Sequence, residues 1–385
     1  MKNFFAVSVC LILSMVSCSK EQDIPEKIDA PDLSLPEVAR MLASLPLDSR
    51  HLGEVYDAVC SSSSNGYDEE YTMRAIMDSP GSGVGDDVDA TRAGRYTSPL
   101  RDLIRDYLST RTVTRSGAPD EGRVQNSMSD LASSDIQIYF PFHDSVDAAK
   151  MPVITYDPHS EAAANIGYRL LGDGRYEEVV VDEALAMSTP VWVVNNNSDA
   201  GYTSLEIMSR EHPDWGGGGA VRLKSDESPF RSLMLKNLKM KRHYDSWFRG
   251  ASEFWIKCGS VEGLSASTEA ELKLYQPTVT DFMLVVRRNQ LGLAVPVNTI
   301  LISDWTEQLE SFAFMITEDD GGTRTSWKTA AEVKLKSKTY GVSLELPFNQ
   351  KDDIVWRGSL STRFFENYSG ETAHFGNVDV TFEIR

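Results

Sequence analysis

The sequence is poor in cysteine and in positive charge, and each shortage excludes a class of protein. Its 385 residues include 4 cysteines, 38 basic and 57 acidic side chains, which gives a net charge of −19. Binding to nucleic-acid phosphates requires a surplus of lysine and arginine, so we expect no nucleic-acid partner. The chain has no CxxC pair, which disfavours a zinc ribbon or a thioredoxin-like centre. It also lacks the HExxH and GxSxG motifs of two hydrolase classes.

Long apolar runs are missing after the first 17 residues. Hydrophobic residues make up 41% of the chain and mean hydropathy is −0.30, as in folded proteins with a polar surface. The single early run, from Phe4 to Val16, follows the positive charge of Lys2. This run is shorter than the ~20 residues that a membrane span needs. The pattern therefore predicts a secretory signal peptide over residues 1–17.

The end of this run resembles a bacterial lipobox, because Met15-Val16-Ser17-Cys18 places a small residue directly before a cysteine. The resemblance implies that Cys18 carries the lipid and becomes the mature N-terminus. The charged residues that follow, and the polar linker predicted over 18–34, are similar to the tether of Bacteroidetes lipoproteins. The implied location is the bacterial outer membrane, lipid-anchored, on the periplasmic or the cell-surface face. The alternative is an ordinary signal peptide with an incidental cysteine.

The apolar residues of segment 35–130 are spaced as is typical of helices. Leu35, Val38 and Leu42 recur at steps of three and four, and similar steps follow further along, so we expect several short amphipathic helices. A polar stretch over 114–127 is predicted to separate these helices from the next region.

From residue 131 onward, apolar residues recur at a period of two. Residues 131–229 carry separate strand-like segments and form a mixed or mainly β middle region. Residues 230–385 alternate throughout, as in Phe312, Phe314 and Ile316, which is typical of an antiparallel β-sandwich. The predicted fold class is α+β, predominantly β, with a small helical N-terminal region, this middle region and the C-terminal sandwich.

Two segments of the last region resemble the C-two domain, a calcium-dependent, lipid-binding β-sandwich. Asp245 is followed by the strand start Ser252-Glu253-Phe254-Trp255-Ile256-Lys257, and residues 304–322 are similar to that family's tryptophan-containing strand and acidic third loop. The sequence departs from the family pattern at Glu253, where aspartate is usual, and in the third loop, which lacks the regular Asp-x-Asp spacing.

The resemblance implies a calcium site in the loops at one end of the sandwich. Calcium takes six to eight oxygen ligands, and clustered carboxylates repel each other until a cation neutralises them. The predicted ligands are the acidic side chains of three loops, namely Asp245, Glu253, Glu318, Asp319, Asp320, Asp352 and Asp353. The alternative is that these are solvated turn residues without a metal.

A different candidate site lies in the middle region, where His143, Asp144, Asp157 and His159 follow strand-like segments. Two histidines with neighbouring carboxylates can coordinate a metal or act as an acid and base pair, which would make the protein a metal-dependent hydrolase. Their spacing matches no known motif.

Three functions are compatible with these patterns. We favour a non-catalytic binding or adhesion module that is held at the membrane by its N-terminal lipid and that contacts a glycan or protein ligand, with calcium in the end loops. A glycan would stack on Trp215, Trp247 and Trp327 if these three were exposed together, whereas the usual state of tryptophan is buried. The alternatives are the hydrolase centred on His143 and His159, and a structural component of an envelope assembly.

Overall fold

The computed structural model describes residues 33–78, 99–113, 117–172, 174–197, 202–211 and 231–385. Residues Leu33–Arg385 form one compact unit. The predicted signal peptide, Cys18 and nearly all of the predicted linker lie outside the described residues. The predicted class, α+β and predominantly β, is confirmed. Among the described residues, no helix combines the length and apolar character needed to cross a membrane.

The N-terminal region is helical. Its helices are α1 (Leu35–Ala43), α2 (Ser49–Ser64), α3 (Met73–Met77), α4 (Leu100–Arg111) and α5 (Glu121–Ser133). The last of these occupies part of the stretch that composition marked as a polar separator. Val124, Met128 and Leu131 are spaced by four and three residues, and all are buried. This spacing places an apolar stripe on one face, which outweighs the polar composition of the segment.

A six-stranded sheet packs with these helices, and its first strand lies between α2 and α3 in the chain. Its strands are β1 (Glu70–Thr72), β2 (Ile136–Tyr139), β3 (Val153–Tyr156), β4 (Ala164–Gly172), β5 (Arg175–Asp182) and β6 (Val191–Asn196). They lie in the order β1-β2-β6-β3-β4-β5, and every pair is antiparallel except β3 with β6. The helices cover one face, where Trp192 and Tyr168 are buried with Leu42 of α1. Two short helices, α6 (Glu183–Ala186) and α7 (Leu205–Glu211), lie near the end of this region.

The C-terminal region is a sandwich of two antiparallel sheets. Its strands are β7 (Arg231–Met240), β8 (Ser252–Ser260), β9 (Thr278–Val286), β10 (Val295–Trp305), β11 (Leu309–Glu318), β12 (Arg324–Leu335), β13 (Lys338–Asn349), β14 (Asp353–Ser361), β15 (Thr372–Phe375) and β16 (Val378–Ile384). One sheet has the order β10-β7-β16-β15, and the other β13-β12-β11-β8-β9 with β14 also paired to β11. Two short helices, α8 (Glu269–Leu272) and α9 (Thr362–Tyr368), complete the region.

The alternating residues of these strands form the largest core of the molecule. Phe312, Phe314 and Ile316 of β11 are all fully buried, as their spacing predicted. Phe314 meets Phe375 and Phe382 of the opposite sheet, with ring centroids 5.7 and 5.4 Å apart in edge-to-face contacts. This geometry places the positive ring edge against the negative face, so the aromatic pairs stabilise the sandwich beyond the burial of their area.

Residues 241–251, which connect β7 to β8, form a junction loop between the sandwich and the first sheet. Trp247 and Phe248 are buried against the face of the first sheet that the helices leave open. Asn195 of β6 donates its amide to the carbonyls of Phe248 and Arg249, at 3.0 and 2.8 Å. The indole Nε1 of Trp247 donates to Ala163 O at 3.1 Å. The loop is therefore fixed by the first sheet and not only by its own strands.

Gly250 is required at the end of the junction loop. Its φ of +128° lies in a region that other residues rarely adopt, and a Cβ there would lie 2.3 Å from Asp68 Oδ2. That carboxylate accepts a hydrogen bond from Ala251 N at 3.1 Å. The close approach of backbone and carboxylate explains why only glycine fits between them.

Candidate cation site

Three strand ends meet beside the junction loop and bring three acidic side chains together. Asp245 lies in the loop after β7, Glu253 at the start of β8, and Glu318 at the end of β11. Because β8 and β11 are antiparallel neighbours, with Glu318 opposite Phe254, the end of one strand meets the start of the other. One carboxylate oxygen from each acid lies within 4.8 Å of the other two. We call these three residues the carboxylate cluster.

The cluster is withdrawn from solvent. Glu253 is 4% exposed and Glu318 is 1% exposed, and the Asp245 side chain is 9% exposed. Glu318 Oε1 is buried and receives no hydrogen bond from a donor in the described part of the chain. An ionised carboxylate in such a place loses its hydration and gains no donor in return, which is costly unless a proton or a cation compensates.

The ionisation behaviour of the cluster follows from this crowding. Burial raises the pKa of Glu318 far above its usual range, and the facing Asp245 carboxyl raises it further. Burial likewise raises the pKa of Asp245. The pKa of Asp320, just beyond the cluster, is raised to about 6 by burial and by the charges of Asp245 and Asp353. Without a cation, the cluster therefore retains a proton that Asp245 and Glu318 can share.

The remaining predicted ligands are not part of the cluster, and two of them accept hydrogen bonds from protein donors. Asp319 accepts hydrogen bonds from Trp255 Nε1 at 3.0 Å and from Gly321 N at 2.9 Å. Asp352 Oδ2 accepts from Asn349 N at 2.8 Å. These bonds fix the loops after β11 and β13. Both oxygens of Asp319 are engaged. The second oxygen of Asp352, Oδ1, is buried and has no hydrogen-bond partner among the described residues.

Asp353 and Asp320 complete the predicted set. Asp353 lies 3.6 Å from Arg242, so its charge is partly balanced by an exposed ion pair. Asp320 is exposed. Burial is the largest cause of its raised pKa, and the negative charges of Asp245 and Asp353 raise the pKa further.

Two arginines that the sequence patterns did not predict stand beside the cluster. Arg249 of the junction loop lies 4.0 Å from Asp245, 3.7 Å from Asp157 and 3.8 Å from Glu161. Arg288 donates to the Asp245 carbonyl at 3.2 Å and pairs with Glu183 at 2.6 Å. Arg249 shares its charge among three acids, so it compensates the cluster only in part. The spacing from Asp245 to Arg249 is visible in the sequence, but the contact with Asp157 depends on tertiary packing.

The four residues of the alternative hydrolase site fall into separate contacts. His143 is buried and its Nδ1 lies 3.0 Å from Glu69 Oε1. Asp144 accepts a hydrogen bond from Asn289 at 3.1 Å. Asp157 lies 3.3 Å from His159 Nδ1.

Asp157 also has a local structural task. It accepts the backbone N–H of His159 at 2.9 Å, in a turn where His159 has a φ of +52°. This is the pattern of an aspartate that stabilises its own loop. Across the described ranges, the cluster of Asp245, Glu253 and Glu318 is the one group of three or more potential metal ligands that converges.

The three candidate tryptophans of a glycan platform differ in their exposure. Trp247 is 4% exposed, and its ring lies 4.0 Å from the ring of Phe248 at an angle of 33°, so it offers no face to a sugar. Trp327 is half-buried against the sandwich core. Trp215 lies outside the described residues. Trp247 therefore takes the buried state that is usual for tryptophan, and its ring attaches the junction loop to the first sheet.

A comparison of the chain with protein-family models, with curated proteins and with solved structures finds no match.

Proposed function

We propose that this protein is a lipid-anchored, non-catalytic binding protein of the bacterial envelope, and that it holds a calcium-type cation at the carboxylate cluster. The observation that carries the proposal is the convergence of three carboxylate oxygens within 4.8 Å, at acids that are nearly inaccessible to water. A cation of charge +2 replaces the shared proton, supplies the missing partner of Glu318 Oε1, and relieves the repulsion among the three acids.

The chemistry of the ligand set favours calcium over zinc or copper. All three ligand residues are carboxylates, which hard cations prefer, and no histidine or cysteine belongs to the group. Calcium tolerates irregular geometry and takes further oxygens from backbone carbonyls and water, whereas magnesium requires a near-ideal octahedron. Asp320, an exposed residue whose pKa is raised by the charge of Asp245, is a candidate for an additional carboxylate ligand.

The cation would also affect the junction between the two halves of the unit. Asp245 belongs to the same loop as Trp247 and Phe248, which pack on the first sheet. Arg249 of this loop links the cluster to Asp157. Binding at the cluster therefore orders a loop that holds the sandwich against the first sheet, and the rigid surface so formed is available to a glycan or protein ligand.

Isothermal titration calorimetry with calcium tests the cation site directly. The full chain, purified in detergent and stripped with EDTA, should bind about one calcium per molecule at the cluster, and more tightly than magnesium. The variant Glu318→Gln should lose this binding, while Glu371→Gln, an exposed acid in the turn before β15, should keep it. Absence of binding in the wild type would refute the cation site.

Membrane anchoring requires a separate test, since it rests on the sequence of residues 15–18 alone. Mass spectrometry of the mature N-terminus should identify an acylated Cys18, and the variant Cys18→Ala should not be processed to that form. One acyl chain binds membranes weakly and several bind firmly, so the lipidated protein should remain with the membrane fraction in high salt. An unmodified Cys18 in a protein released to the medium would contradict the anchoring.

A further inference from the structure

A second concave site lies at the end of the sandwich opposite the carboxylate cluster. Strand β7 begins at Arg231 beside this cavity and ends at Met240, before the loop of Asp245. Strand β11 runs between the same two ends, from Leu309 to Glu318. Ten residues of strand span about 30 Å, so the cavity is a separate site. Its volume of about 390 Å³ is in the range of small-molecule sites.

The cavity is lined by charges of both signs, and most of them are already paired. Arg231 lies 3.2 Å from Glu366, and Lys334 lies 3.4 Å from Glu310. The second oxygen of Glu310 accepts a hydrogen bond from Thr339 at 2.7 Å. These contacts lower the pKa of Glu310, chiefly through the Thr339 hydrogen bond. Both oxygens of this carboxylate are therefore engaged within the protein.

One cation and one anion remain on the lining after these pairs are set aside. Arg363 of α9 and Glu307, between β10 and β11, are both exposed at the cavity. Within the described part of the chain, neither takes part in an ion pair or a side-chain hydrogen bond. The positive charge of Arg363 lowers the pKa of Glu310 without a direct contact. The oxygens of Glu310 contact Lys334 and Thr339 instead. The cavity thus presents one open positive and one open negative group.

We propose that this cavity binds a small zwitterion that carries a carboxylate and an ammonium group, either a free amino acid or a short peptide. The guanidinium of Arg363 matches a carboxylate through two parallel N–H donors, and the Glu307 carboxylate accepts from an ammonium. Trp305 and Leu309 supply a buried apolar floor for a side chain. A ligand with only one of the two charges forms only one of these two ion pairs.

Titration calorimetry with the full chain in detergent distinguishes the ligand sources. The probes are L-leucine, the dipeptide Leu-Leu, N-acetyl-leucine, which lacks the ammonium, and leucinamide, which lacks the carboxylate. We expect saturable binding of L-leucine or of the dipeptide, and at least about tenfold weaker binding of the two blocked forms. Binding of the dipeptide alone would assign the site to peptides, and binding of L-leucine alone would assign it to free amino acids.

The variants Arg363→Gln and Glu307→Gln should each weaken the favoured probe at least about tenfold. Arg357→Gln and Glu371→Gln, exposed positions away from the cavity, should not change the affinity. Titrations in EDTA and in calcium should agree, which separates this site from the cation site. No binding of either zwitterion at about 10 mM, or equal binding of a blocked form, would overturn the proposal.

Discussion

Replacing Glu318 by glutamine should make the cation-free protein more stable and the calcium-loaded protein less stable. Glu318 is 1% exposed and lies within 4.8 Å of two other carboxylates. At that distance and an effective dielectric constant of about 20, each pair of charges repels by about 3.5 kcal/mol. Proton uptake and local relaxation remove part of this cost. We therefore expect Glu318→Gln to raise the free energy of unfolding without calcium by about 2 kcal/mol.

Calcium should reverse the order of the two proteins. A ligand at a hundred times its Kd stabilises the native state by about 2.7 kcal/mol, which for a unit of this size raises Tm by about 4 °C. The wild type should show this shift and Glu318→Gln should not.

Thermal unfolding at pH 8, in EDTA and in calcium, with Glu371→Gln as control, measures both effects. If Glu318→Gln is less stable than the wild type in EDTA and keeps the full calcium shift, Glu318 is a structural hydrogen-bonding group and the reasoning fails.

The other predictions concern pH and the junction loop. A raised native pKa means that the folded protein binds more protons than the unfolded chain, so stability is lost as pH rises through that pKa. For Asp320 this window runs from about 4 to about 6, and Glu318 extends it upward, so Tm in EDTA should fall between pH 4 and 8. The gain in Tm from calcium should grow over the same range, because the cation needs deprotonated ligands; a gain that is independent of pH would contradict the assignment. Trp247→Ala should lower the free energy of unfolding by about 3–5 kcal/mol and should weaken calcium binding. The control Trp327→Ala should affect stability alone. Unchanged calcium affinity in Trp247→Ala would show that the cluster does not depend on the junction loop.

The β-sandwich could be predicted because alternation depends on local sequence. A strand with one buried face repeats its apolar residues at a period of two, and Val342, Leu344 and Leu346 follow this rule in β13. Of these, Leu344 and Leu346 are fully buried and Val342 is partly buried. The number of strands in this region is harder to predict from the sequence. Short pairings such as β15 with β16 depend on the neighbouring chain and leave a weak pattern.

Part of the carboxylate cluster could be predicted from the sequence, because its members lie at the ends of predictable strands. Acids at the ends of adjacent strands in a sandwich approach one another, and Glu253 and Glu318 do so through the β8–β11 pairing. The distinction between Glu318, which has an oxygen without a donor, and Asp319, which has three donors, is not local. It depends on the direction in which each side chain points at the end of β11, and so on which donors lie within its reach.

The contacts that span the two halves could not be predicted. Asn195 reaches the junction loop across 53 residues of sequence. Within the first half, His143 meets Glu69 across 74 residues, and this contact was equally hidden. No periodicity marks such pairs, because each partner follows the pattern of its own element. Trp247 is an example. As an aromatic residue it was a candidate for a ligand surface, but its packing attaches the junction loop to the first sheet.

The most direct test of the account is a long-wavelength anomalous difference map from crystals of the protein grown with calcium. We expect one peak inside the carboxylate cluster, with oxygens of Asp245, Glu253 and Glu318 at about 2.3–2.6 Å from the ion. An empty cluster at saturating calcium, or an ion bound only elsewhere on the sandwich, would contradict it.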